Sequence, residues 1–168
     1  MNKILISFLG LSLFGFGCSM PSFSQAVADK YAESAVEKAT GGKIDVSSDK
    51  GTVSYQDKDG NQISVGENAA MPANFPKEIP QYPGGTTLSA SVAKDGQASL
   101  SIRTSDASAV VMSWMETTLT KDGWKQASQM ASGDFSVRTY TKDKATIGVT
   151  IVPDGEGKGG SLLTITKS

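Results

Sequence analysis

Three patterns of apolar and polar positions run along this chain, and each predicts a different kind of element. The first is an unbroken apolar run at residues 4–17, with Lys3 ahead of it and Cys18, the only cysteine, directly behind it. A positive residue, a short apolar stretch and a small-residue end have the layout of a secretory signal. The run is too short to cross a bilayer comfortably, since a spanning helix needs about 20 apolar residues.

The second pattern is helical spacing. At residues 25–40, Val27, Tyr31 and Ala35 recur every fourth position beside an acidic row of Asp29, Glu33 and Glu37. Ser24 is the expected N-cap, and Gly41-Gly42 the stop. Like charges four apart weaken a lone helix by a few tenths of a kcal/mol, so this one is expected to need a docking surface, with its acidic row in solvent. A stronger helix follows Ser105 or Asp106 as cap, with the stripe Val110, Val111, Trp114, Met115, Thr118 and Leu119. Lys121 lies in its last turn. Gly123 suits the left-handed C′ position, and Trp124 would fold back on Leu119 as in a Schellman ending. Trp114 and Trp124 are therefore read as packing residues rather than a binding patch.

The third pattern is strand alternation. Residues 43–65 read as a three-stranded meander pairing Val46 with Val53, Ile44 with Tyr55, Tyr55 with Ile63 and Val53 with Val65. All six apolar side chains then share one face, which needs a partner surface. Residues 66–85, with prolines at 72, 76, 80 and 83, form a connector. From residue 86, two strands joined at Lys94-Asp95-Gly96 pair Val92 with Ala98, Ala90 with Leu100 and Leu88 with Ile102. After the strong helix come strands near 124–130, 135–141, 145–152 and 161–167. A loop at Lys142-Asp143-Lys144 would pair Thr139 with Ile147, Val137 with Val149 and Phe135 with Ile151. The expected fold is α+β: an antiparallel sheet with one amphipathic helix on one face, preceded by an N-terminal helix and the meander. Its divisions are residues 1–17 signal, 18–42 tether and helix, 43–65 meander, 66–85 connector and 86–168 α+β module. The last of these is expected to fold without residues 19–65.

Composition narrows the chemistry. The chain has 16 basic and 17 acidic residues and no histidine, so a basic nucleic-acid stripe, histidine triads and the usual zinc-hydrolase sites are absent. One cysteine leaves no disulfide. The G-x-G-x-x-G match at 155–160 precedes a strand instead of opening a helix, so it is read as a hairpin loop. Two S-x-x-K matches, Ser47 to Lys50 and Ser91 to Lys94, sit at strand ends and lack companion motifs. Asp57 to Asn61 has only part of a calcium-loop pattern and is read as a tight acidic turn. No cofactor, metal or catalytic residue is expected.

Gly15-Phe16-Gly17-Cys18 resembles the acylation site of bacterial lipoproteins, with glycine where that family usually has leucine. The resemblance implies lipidation at Cys18 and a membrane anchor in the cell envelope, at the outer membrane if the cell is Gram-negative, since Ser19 follows. The alternative is ordinary secretion with cleavage at Ala26-Val27-Ala28. Further on, Tyr82-Pro83-Gly84, Thr104-Ser105-Asp106 and Asp122-Gly123-Trp124 are similar to a "YPG", "T-x-D", helix-"GW" module of uncharacterised bacterial envelope lipoproteins. That resemblance spans residues 79–168 and implies a fold without an activity. Two functions stay open: a non-enzymatic envelope lipoprotein that binds or scaffolds another envelope component, or a module that holds a small apolar or lipid ligand between helix and sheet. A large cavity would favour the second. A long bare edge strand would favour the first.

Overall fold

A computed structural model describes residues 25–47, 50–155 and 160–168. The apolar run, Cys18 and Ser24 lie outside the described residues. The elements are α1 (Gln25–Thr40), β1 (Lys43–Ser47), β2 (Thr52–Gln56), β3 (Gln62–Val65), β4 (Thr86–Val92), β5 (Ala98–Thr104), α2 (Ser108–Lys121), β6 (Lys125–Ser132), β7 (Phe135–Lys142), β8 (Ala145–Pro153) and β9 (Ser161–Lys167). The strands form one nine-stranded sheet in the order β1-β2-β3-β4-β5-β9-β8-β7-β6, and every neighbouring pair is antiparallel. The class is α+β, dominated by the sheet. The meander is not set apart from it, because β3 pairs with β4 through Ser64 and Ala90.

The core lies between α2 and strands β4, β5, β9, β8 and β7. Val111, Met115 and Leu119 of α2 are fully buried, as are Leu100, Tyr140, Ile147, Val149, Ile151, Leu163 and Ile165 of the sheet. Burying such a side chain stabilises the fold by about 1.5–3 kcal/mol. Ile79 and Tyr82 bring the connector into the same cluster. The end of α2 is closed by backbone geometry. Gly123 has φ +86°, its N–H bonds Thr120 O at 3.0 Å, and the Trp124 N–H bonds Leu119 O at 3.0 Å. Both bonds belong to a Schellman ending, and the buried Trp124 follows it.

The start of α2 differs from the sequence expectation. The N-cap is Ala107, with no side-chain cap, because Asp106 is engaged elsewhere. Val110 is 55% exposed while Met112 is buried, so the helix is rotated toward Met112 relative to the expected stripe.

The meander and the β4–β5 hairpin have the pairings read from their turns, with one exception. A bulge between Thr87 and Ser89 puts Thr87 opposite Ile102 in place of Leu88. The β7–β8 hairpin requires a larger correction. Its turn has two residues, Asp143 and Lys144, and Asp143 takes φ +54°. Tyr140 therefore pairs with Ile147 and Arg138 with Val149. Losing one loop residue moves the whole of β7 by one position and turns its side chains over. Phe135, Val137 and Thr139 thus lie on the side away from α2.

α1 packs beside β1; in its acidic row Glu37 is exposed as expected and Glu33 half-buried, yet both bond that strand, and the Asp29 side chain lies outside those described. Glu33 Oε1 accepts the Val46 N–H at 2.8 Å, and Glu37 Oε1 accepts the Ile44 N–H at 3.4 Å. Two carboxylates on one helix face thereby occupy donors that an edge strand otherwise leaves bare. At the opposite edge, all eight residues of β6 are exposed.

Candidate functional site

Pairing across the sheet aligns side chains that sequence separates. On the side away from α2, one row runs Ile44, Tyr55, Ile63, Ser91, Ser99, Thr166, Gly148, Thr139 and Ser128, one residue from each of the nine strands. The next row runs Val46, Val53, Val65, Ser89, Ser101, Thr164, Thr150, Val137 and Met130. Both rows are apolar on β1–β3 and small or hydroxyl-bearing across β4, β5, β9 and β8. Polarity thus changes sides between β3 and β4. The face of the meander that continues the core side carries Asp45, Ser54, Gln62 and Ser64, with Ser54 and Ser64 hydroxyls 3.0 Å apart. Its six apolar residues look the other way, and Ile63 and Val65 are 43% and 40% exposed.

Over the first row lies a hollow of about 730 Å³. Tyr55, Ile63, Ser91, Ser99, Thr166, Gly148 and Thr139 form its floor, with Asn61, Gln97, Thr146 and Lys167 around it. Strand-interior glycine is destabilising relative to alanine by about 0.5–1 kcal/mol and often marks a close approach. At Gly148 a Cβ would stand 2.9 Å from Thr166 Oγ1. No acidic side chain lines the hollow. Its one cation, Lys167, is held 3.2 Å from Glu78, whose carboxyl is kept below the usual range by its own backbone N–H and by that lysine. Asn61 is fixed from behind: its Nδ2 donates to Asp57 Oδ2 at 2.6 Å and its Oδ1 accepts the Lys94 N–H at 2.8 Å. The Asp57 carboxyl, bonded by the Asn61 side chain and by backbone N–H groups, is held below its usual range. That segment is the tight turn expected from sequence. Among the described residues, no group of three or more acidic, cysteine or histidine side chains is placed to hold a metal.

The space between helix and sheet, where the alternative reading placed a small apolar or lipid ligand, is filled by the buried side chains of α2 and β7–β9. The residues singled out in sequence are arranged around that packing. Trp124 is 3% exposed, with no partner for its indole N–H among the described residues. Trp114 is half-buried and meets Tyr82 edge to face, ring centres 5.1 Å apart. Tyr82 donates to Asp106 Oδ2 at 2.6 Å, while the Asp106 N–H bonds Thr104 Oγ1 at 3.2 Å and Ser161 Oγ donates to Asp106 O at 2.8 Å. The "YPG" and "T-x-D" segments therefore meet in one polar knot that ties the connector to the start of α2. Burial first, and then the Asp106 carboxylate, push the Tyr82 phenol up to about 12. None of these residues reaches the hollow.

Sequence reading missed the hollow because its floor comes from seven strands and reads locally as a solvent face. Gly148, set between Ile147 and Val149, was the one local signal.

A family model described as START domain-like matches residues 86–159, which take in β4 through β8. The matched part leaves out the meander and β9. No curated protein and no solved structure matches the chain significantly.

Proposed function

We propose that this chain is a non-enzymatic binding module of the cell envelope that takes its ligand in the hollow over β2–β8, on the side of the sheet away from α2. The observation that carries this reading is the hollow itself. Its 730 Å³ falls within the range of about 300–1,000 Å³ usual for ligand sites. The similarity of residues 86–159 to START-like domains, which are typically binding domains, supports the same class. Ser91, Ser99, Thr139, Thr146, Thr166 and the Tyr55 hydroxyl spend no side-chain hydrogen bond within the described protein, so they stand available to a ligand.

Native mass spectrometry of the chain purified from its own envelope tests the reading. The wild type is expected to retain a small-molecule adduct that Gly148→Val, with a side chain built into the floor, has lost. Equal adducts in the two proteins, or none in either, would refute it.

The anchoring half of the proposal rests on the apolar run and Cys18. Among the described residues, no helix is long and apolar enough to cross a membrane. Lipidation of Cys18 would supply the attachment, and Cys18→Ala should then appear in the soluble fraction. Recovery of that variant in the membrane pellet, with residues 1–17 already removed, would sink the anchor.

A second reading has its own observation. The edge of β6 carries eight exposed residues and one charge, Lys125. Such an edge can accept a strand from an envelope protein and so act as a scaffold.

A further inference from the structure

The geometry points to a neutral oligosaccharide, laid across the strands, as the ligand of the hollow; this inference rests on the hollow being the binding site. The argument starts from charge. The lining has no acidic side chain, and Lys167 is already paired with Glu78 at 3.2 Å. An anionic or cationic ligand would lose its hydration there without gaining a counter-charge.

Hydrogen-bonding capacity comes next. Ser91, Ser99, Thr139, Thr146, Thr166 and Tyr55 offer six hydroxyls that make no side-chain hydrogen bond among the described residues. An acyl chain resting on them would strip their water and give nothing back, which is unfavourable at each one. A sugar both donates and accepts at every hydroxyl and can satisfy them all. Tyr55 and Ile63 sit side by side at one end of the row, and Val92, Ala93 and Ala98 add apolar lining beside the hydroxyls. The C–H face of a pyranose ring suits the Tyr55 and Ile63 pair, while the tip of the Tyr55 phenol lies against Gly42.

Shape supplies the third argument. From Tyr55 on β2 to Thr139 on β7 is six strand steps, or about 29 Å along the sheet at about 4.8 Å per strand. Ser91, Ser99 and Thr166, on adjacent strands, therefore repeat at the strand spacing, which is close to the length of one sugar ring, with Ile63 and Gly148 interrupting the row on either side. Successive rings of a linear glycan would meet successive hydroxyls. Gly148 lies between Thr166 and Thr139 in that row and keeps the floor low where a side chain would stand in the path.

The test is an amide-resolved NMR titration of the isotope-labelled chain with two neutral probes, the β-1,4-linked tetramers of glucose and of N-acetylglucosamine, and with laurate as comparison. Saturable shifts at Ser99, Gly148 and Thr166 are expected with at least one tetramer. Ser99→Ala, which removes one hydroxyl and leaves the packing alone, should weaken that binding at least threefold. Gly148→Val should abolish it, and Tyr55→Ala serves in its place if the valine variant does not fold. Laurate shifting these amides while neither tetramer does would overturn the saccharide assignment and leave the hollow standing as a ligand site. If neither tetramer shifts these amides and laurate does not either, the saccharide assignment falls. The mass-spectrometric adduct then decides separately whether the hollow binds anything.

Discussion

Replacing Tyr82 by phenylalanine removes one oxygen and leaves the rest of the fold in place, which makes it a sharp test of the knot at the start of α2. The ring stays buried at 7% exposure and keeps its edge-to-face contact with Trp114. What is lost is a 2.6 Å hydrogen bond to the Asp106 carboxylate. A hydrogen bond to a charged group contributes about 1.5–3 kcal/mol. Asp106 is exposed, so water replaces part of that bond, and Tyr82→Phe should cost about 1–2 kcal/mol at pH 7.

The pH dependence gives a second readout, set first by burial of the phenol and then by the Asp106 carboxylate. Below pH 10 the phenol is protonated in both the folded and the unfolded chain, and its contribution is constant. Between pH 10 and about 12 the unfolded chain releases the proton while the folded chain holds it, so stability falls as pH rises. A gap of that size corresponds to about 2–3 kcal/mol, lost across this window. Urea unfolding followed by tryptophan fluorescence at pH 7, 10 and 12 measures both effects. The advantage of wild type over Tyr82→Phe should be present at pH 7 and gone by pH 12. Equal stabilities at pH 7 with parallel alkaline losses would refute the knot.

Other outcomes follow from the same structure. Gly123→Ala should cost about 1 kcal/mol by thermal melting, from the left-handed backbone alone, since a Cβ there meets nothing nearer than the Lys142 side chain at 3.8 Å. Trp124→Ala should cost about 3–5 kcal/mol, and Trp124→Phe much less, because phenylalanine also removes the unpaired indole N–H; an unchanged melting temperature for Trp124→Ala would withdraw the core assignment. The Glu33→Ala/Glu37→Ala pair should expose the β1 edge and raise self-association in light scattering, whereas a strictly monomeric double variant would show that the two carboxylates do not guard it. A fragment starting at residue 66 keeps Ile79 and Tyr82 and should melt cooperatively, whereas one starting at residue 86 should melt lower; equal melting temperatures would remove the connector from the core.

How far the sequence was legible depended on how many choices each segment left open. The β4–β5 hairpin was readable because Gly96, at φ +88°, marks the left-handed loop position and both strands alternate cleanly. The end of α2 was readable for the same reason at Gly123. β7 was not. It carries Phe135 and Val137 on one face and Tyr140 on the other, so pairing apolar with apolar looked natural in the wrong phase. Its turn uses Asp143, an ordinary residue, at positive φ, so no glycine announced the two-residue loop. The strand contacts of Glu33 and Glu37 were not legible because the donors they meet belong to a strand edge that exists only once the sheet has formed. The hollow lay beyond reach for a related reason: β9 enters between β5 and β8, and this crossover sets Ser99 beside Thr166 and Thr166 beside Gly148.

The unequal treatment of the two sheet edges limits how copies of this chain could assemble. With β1 occupied by Glu33 and Glu37 and β6 bare, the sheet can be extended from one side only. A strand added at β6 by a second copy would be met by that copy's own β6, because its β1 is equally blocked. The resulting contact uses the same patch twice and is closed by a two-fold axis, leaving no edge for a third copy. Two side chains on one helix thus separate a pair that stops from a ribbon that does not.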